Sequence, residues 1–197
     1  MQAVPTVRVV SLQSPTVLHS WLTPHAEVRP AGAKGVGLFA KRPIPAGEIV
    51  SGFGGHVLPI DEFERLPEHQ QTHSLQISES LFMVAPPTNE PADFFNHSCS
   101  PNLGILGNVL LVTLAPIAEG DELTFDYAMC DADSYDEFEC RCGTAACRGK
   151  VTGNDWMIPE LQERYRGHFS TYIERRIAAL SNDGGSDDER QVGGHPL

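Results

Sequence analysis

No stretch of this 197-residue chain approaches the roughly 18 consecutive apolar residues that a membrane-spanning helix needs. The N-terminus also lacks the apolar core of a secretory leader. Both absences lead us to expect an intracellular protein with no membrane partner. Cations are scarce: 14 Lys and Arg stand against 26 Asp and Glu, a formal charge of −12. Phosphate backbones are bound through clustered Lys and Arg, so the charge argues against direct nucleic-acid binding and for a basic polypeptide partner. No cysteine precedes Cys99, so no cysteine-rich module is expected within the residues upstream of it.

What the sequence does hold is concentrated in its second half. Cys140, Cys142 and Cys147 follow one another as C-x-C-x4-C, downstream of Asn96-His97-Ser98-Cys99. An odd total of five cysteines, two of them one residue apart, favours metal over disulfides in a reducing compartment. The pattern assigns Cys99, Cys140, Cys142 and Cys147 to one closed, structural four-thiolate zinc site with no open position for water. Cys130 falls outside it and reads as an ordinary small residue. Between the two cysteine clusters, Glu119 to Glu139 carries nine acids and no Lys or Arg. Such a stretch is either a solvated loop or a surface facing a basic substrate.

An apolar content of 41% and the chain length fit one domain plus short extras. The proline-punctuated first 25 residues suit extended pieces better than a long helix. Glu27 to Val50 reads as two strands around a glycine-rich turn, Gly32 to Gly37, with a second break at Pro43 to Gly47. Val109 to Leu114 and Glu122 to Tyr127 are strand candidates, and Asp61 to His69 a helix candidate. From Ile158 the residues Leu161, Tyr165, Phe169, Tyr172, Ile173, Ile177 and Leu180 recur at three- and four-residue steps. That spacing predicts one amphipathic helix beginning near Pro159.

Lys34-Gly35-Val36-Gly37-Leu38, Phe94 to Asn102, Gly120 to Tyr127 and Cys140 to Cys147 together resemble the ordered signatures of SET-domain protein-lysine methyltransferases with a post-SET zinc segment. The resemblance covers residues 24–150. It implies a mainly β fold with few helices, a β-clip of several small sheets with a knot-like C-terminal threading. The implied division is an N-terminal extension (1–23), the SET domain (24–128), a post-SET zinc segment (136–152), a C-terminal helix (155–180) and a disordered acidic tail (181–197).

The same resemblance implies that S-adenosylmethionine binds in one pocket and that a substrate lysine enters a narrow channel from the opposite face. Gly35, Val36, Gly37, Asn96, His97 and Tyr127 are then the cofactor contacts, and Tyr127 the catalytic residue. Trp156 either covers the adenine or starts the final helix and fills its core. Phe53, Phe125 and Tyr127 line the lysine channel, and Phe125, lacking a hydroxyl, leaves room for di- or trimethylation unless it is a plain core residue. The implied substrate is a basic protein or lysine-containing peptide, and a monomer is the default. Location follows the substrate: cytoplasmic, or nuclear or nucleoid-associated where it is chromatin. One departure stands out, since the family's Tyr-x-Gly-Glu reads Phe53-Gly54-Gly55-His56. That lost phenol keeps open the alternative of a SET-like binding module with weak or no catalysis.

Overall fold

The computed structural model describes residues 19–134 and 137–183. The chain enters through β1 (Trp21–Leu22), β2 (Ala26–Pro30), β3 (Val36–Ala40), β4 (Ile49–Gly52) and β5 (His56–Pro59). Two short helices follow, α1 (Ile60–Phe63) and α2 (Glu68–Gln71), then β6 (Ser74–Ser78), β7 (Leu81–Val84) and β8 (Asn96–His97). Next come β9 (Leu103–Leu106), β10 (Leu110–Thr113), β11 (Glu122–Phe125), β12 (Phe138–Glu139) and β13 (Lys150–Val151). The described chain ends in α3 (Pro159–Arg164) and α4 (Thr171–Asp183).

The strands form four small sheets, ordered β1-β4-β10-β9, β2-β3-β11-β8, β5-β7-β6 and β12-β13. This is the mainly β architecture of small sheets that the sequence led us to expect. The glycine-rich turn closes the β2–β3 hairpin because Gly32 and Gly35 take positive φ angles of 61° and 80°, where a side chain would be strained. Leu38, Leu103, Ile105, Leu111 and Leu123 from the strands and Ile173 from α4 are fully buried in one core cluster. Burial of each such side chain stabilises the fold by about 1.5–3 kcal/mol.

In the second sheet β11 is flanked by β3, antiparallel, and by β8, parallel. The parallel register sets Asn96 beside Thr124 and His97 beside Phe125. Two motifs about thirty residues apart in sequence thereby become neighbours in space.

Several boundaries differ from the sequence reading. Within residues 19–23, expected in an N-terminal extension, Trp21 and Leu22 belong to the first sheet, where Trp21 pairs with Gly52. Residues 1–18 of that extension and 184–197 of the expected tail lie outside the described residues. The helix expected over Asp61 to His69 is two short ones, since Pro67 takes extended backbone (φ −57°, ψ 144°) and breaks the run. The single helix expected over 155–180 is also two. Gly167 (φ 79°) turns the chain between α3 and α4, and the Ser170 hydroxyl accepts the Ile173 N–H to start the second helix. The apolar spacing runs straight through the break because Leu161, Tyr165, Phe169, Tyr172 and Ile173 all still reach the core.

Candidate active site

β11 hands Phe125 to the core and then turns sharply. The Asp126 carboxylate accepts the Ala128 N–H at 3.1 Å, capping a 3-10 turn over Tyr127–Met129. The Tyr127 ring therefore leaves the strand end and stands 4.9 Å from Phe125, centroid to centroid. Its hydroxyl donates to the Phe95 carbonyl at 3.0 Å.

Two cavities meet at this tyrosine. One is narrow, about 70 Å³, with apolar walls from Phe53, Met83, Phe95 and Phe125 and with Asp93 and Asp131 also on its lining. The other is an open cleft of about 590 Å³, bounded by Val36, Asn96, His97, Phe138 and Cys140 to Cys142. Thr72, His73, Asp93, Phe95 and Tyr127 line both. The cleft has the size of a small-molecule site, whereas the narrow cavity admits little more than a linear side chain. Burial raises the pKa of Asp93, against the Glu90 backbone N–H and His73, which lower it.

The wall of the cleft is built from the glycine turn. Asn96 Nδ2 donates to the Val36 carbonyl at 2.9 Å and to the Glu122 carboxylate at 2.8 Å, and Lys34 pairs with the same carboxylate. A Cβ on Gly37 would lie 2.6 Å from both Asn96 Nδ2 and Glu122 Oε1, so only glycine leaves this network undisturbed. His97 is buried, and desolvation lowers its pKa to about 4, with Arg148 and Lys34 adding to the effect and Asp126 and Asp155 opposing it. The neutral ring accepts the Tyr127 N–H at Nδ1 (3.4 Å), which leaves the proton on Nε2, 3.3 Å from Cys99 Sγ.

That contact leads to the cysteines. The sulfurs of Cys99, Cys140, Cys142 and Cys147 all lie within 4.8 Å of one another, with Cys99 and Cys140 3.7 Å apart. Zn–S bonds of about 2.3 Å at tetrahedral angles put sulfurs about 3.8 Å apart, so the donor set fits a structural zinc. The Arg148 N–H donates to Cys99 Sγ at 3.3 Å and adds to the stabilisation of thiolate there.

The structure thus brings Phe53, Phe125 and Tyr127 together around the narrow cavity, and Val36, Asn96, His97 and Tyr127 around the cleft. Gly35 and Gly37 flank Val36 without lining the cleft themselves. Trp156 does not reach it: the ring is 2% exposed, packs in the core, and carries the Arg176 guanidinium 4.5 Å above it. That position fits the core-filling reading of Trp156 rather than the adenine-covering one.

Phe138 is the aromatic residue near the cysteines that lines the cleft, edge-on to His97 (5.7 Å) and Tyr127 (5.8 Å). Its place two residues before Cys140 was the available signal. The acidic stretch is also not one surface: Asp126 is fully buried, whereas Asp131 lines the narrow cavity and Glu139 the cleft.

Comparison with known proteins agrees with this geometry. The SET-domain family profile matches residues 35–128. Trithorax, a histone-lysine N-methyltransferase of Drosophila virilis, is 32% identical over 126 residues, covering 58% of this chain and 3% of that protein. The H3 lysine-4 specific histone-lysine N-methyltransferase of Mycosarcoma maydis is 34% identical over 126 residues, covering 57% of this chain and 9% of that protein. The chain therefore spans less than a tenth of the length of these relatives. Among solved structures, KRYPTONITE in complex with mCHG DNA and SAH superposes with a TM-score of 0.52 at 27% identity, over 64% of this chain and 28% of that one. With the paired glycine turn, the Asn96–His97 strand and Tyr127 in one site, residues 35–128 of this chain are a SET domain.

Proposed function

We propose that the protein is an S-adenosylmethionine-dependent protein-lysine N-methyltransferase acting on a basic protein or peptide. The observation that carries this reading is the meeting of a small-molecule cleft and a side-chain-sized cavity at the Tyr127 ring. The relatives named as histone-lysine methyltransferases support the same class, and histones are basic proteins of the kind the charge of −12 favours. Chromatin substrates would make the site of action nuclear.

The donor fits the cleft residues. Val36, Asn96 and His97 would hold its amino-acid and adenosine parts, with Phe138 as an aromatic wall. When bound, the donor supplies an electrophilic methyl group on a sulfonium centre.

The chain's own residues handle the lysine. A free lysine with a pKa near 10.4 is neutral at pH 7 only to roughly one part in a few thousand. Asp93 and Asp131 attract the ammonium to the narrow cavity, and the apolar walls of Phe53, Phe95 and Phe125 then favour the neutral amine. Tyr127 orients that amine along the line joining the two cavities, where catalysis is mainly positioning and electrostatics. The zinc does no chemistry here. Cys99, Cys140, Cys142 and Cys147 would hold it as a clamp on the segment that forms one side of the cleft.

Incubation with labelled S-adenosylmethionine and basic protein substrates tests the reading: label should enter lysine side chains. Absence of transfer to every basic protein offered, with donor still bound, would instead support the binding-module reading that Phe53 favours.

Two further outcomes follow from the same site. Neither Phe53 nor Phe125 offers a hydroxyl to restrain the amine, which supports di- or trimethylation. Phe125→Tyr should shift the product towards monomethyl-lysine, as read by mass spectrometry of the modified peptide; an unchanged product distribution would make Phe125 a plain core residue. Gly37→Ala should weaken donor binding about tenfold by calorimetry, because the new methyl displaces Asn96 and Glu122 from each other. Those two side-chain ends can move, so the cost in stability should stay at about 1 kcal/mol, the low end for overpacking.

A further inference from the structure

Arg148 lies beyond the stretch matched by the family profile, one residue after Cys147, yet its side chain reaches back into the centre of the site. Nη1 donates to Asp126 Oδ2 at 2.6 Å and Nη2 to Asp126 Oδ1 at 2.8 Å, a two-pronged pairing, while Nε donates to Asp155 Oδ2 at 2.8 Å. The guanidinium is 15% exposed and the Asp126 carboxylate not at all. Two acids around one cation would leave a buried excess of negative charge. Hydroxyls offset it: Tyr165 donates to Asp126 at 3.0 Å and Thr152 to Asp155 at 2.7 Å. The arrangement is fully hydrogen-bonded, as a buried ion pair must be to persist.

The pair ties the cysteine segment to the end of β11 through side chains, beside the backbone pairing of β8 with β11. On one side, the Arg148 backbone N–H is tied to Cys99 Sγ. On the other, Asp126 immediately precedes Tyr127, and its carboxylate caps the turn that aims that ring. We infer that Arg148 is a positioning residue for Tyr127, coupling the ordered thiolate segment to the end of β11 through Asp126. The inference rests on reading Tyr127 as the catalytic residue. A lysine at position 148 would keep the charge and lose the fork, since an ammonium cannot pair with both carboxylate oxygens in that planar geometry.

The test compares wild type with Arg148→Lys and, separately, Asp126→Asn, at a temperature where circular dichroism shows the proteins folded. Three quantities are read: kcat and the KM for S-adenosylmethionine, zinc per chain, and amide hydrogen exchange across residues 124–129. For Arg148→Lys we expect kcat to fall at least tenfold with KM within threefold of wild type. Zinc should be retained, and exchange at Tyr127 to Met129 should be at least tenfold faster. Asp126→Asn should reproduce the fall in kcat, and it carries the test if the lysine variant does not fold. A kcat within twofold of wild type, or a fall matched by an equal loss of zinc, overturns the proposal. If wild type transfers no methyl, the catalytic reading fails by itself, and the exchange rates still decide whether Arg148 holds the Tyr127 turn.

Discussion

Tyr127→Phe should lower kcat by about 10²–10³ and leave the protein folded with its donor affinity nearly unchanged. The magnitude is that of removing one well-placed donor from a preorganised site. The variant deletes a single oxygen, and the ring still packs 4.9 Å from Phe125. The Phe95 carbonyl loses the hydrogen bond it accepts at 3.0 Å, which costs about 1 kcal/mol and not the fold. The effect should be large because Tyr127 is, among the described residues, the only tyrosine on the lining of the narrow cavity: Phe53, Phe95 and Phe125 present hydrocarbon alone. The aliphatic hydroxyls of Ser20, Thr72 and Ser74 also lie on that lining, and orientation of the amine is assigned to the phenol at the end of β11 and to backbone carbonyls. The measurement is transfer of labelled methyl groups to proteins of a lysate by both forms. If the same bands label equally, Tyr127 is a structural residue and the catalytic reading of the site is wrong.

How far the site could be read from sequence depended on the range of its contacts. Val36, Asn96, His97 and Tyr127 sit in short motifs whose spacing carries the signal, and the parallel pairing of β8 with β11 does the rest. The strand candidates Val109 to Leu114 and Glu122 to Tyr127 were legible because the first is a short β-branched and apolar run and the second alternates polar with apolar residues; the strands observed are Leu110–Thr113 and Glu122–Phe125. Asp126 was not. In sequence it is one more acid among nine, and the distant partners Arg148 and Tyr165, with the Ala128 N–H, are what let its carboxylate be fully buried. The places of Trp156 and Phe138 were not legible for a related reason. Both are aromatic residues near the cysteines, and the turn that sends one into the core under Arg176 and the other to the cleft is set by tertiary packing. The helix break at Gly167 did have a local signal, the glycine itself, which the unbroken apolar spacing masked.

Removing the zinc should cost more of the structure than any single substitution, and the loss should be regional. The segment from Phe138 to Val151 has little regular structure of its own: β12 and β13 pair only Phe138 with Val151 and Glu139 with Lys150. A ladder that short is not stable in water without another constraint. With the four sulfurs bound, Cys140, Cys142 and Cys147 are tied to Cys99, which is fully buried in the SET domain. Without the metal, four adjacent thiols offer no cohesion of their own, and binding energy that was folding energy is lost. Phe138 and Cys140 to Cys142 then leave the side of the cleft, so S-adenosylmethionine affinity should fall at least a hundredfold by calorimetry. The β1-β4-β10-β9 sheet contains none of these residues and should survive. Hydrogen exchange after chelation should therefore accelerate across 137–151 while 103–113 stays protected, and added zinc should reverse both changes. Cys99→Ser should give the same pattern without a chelator. Unchanged donor affinity in zinc-free protein would separate the metal from the cleft and leave it a role in stability alone.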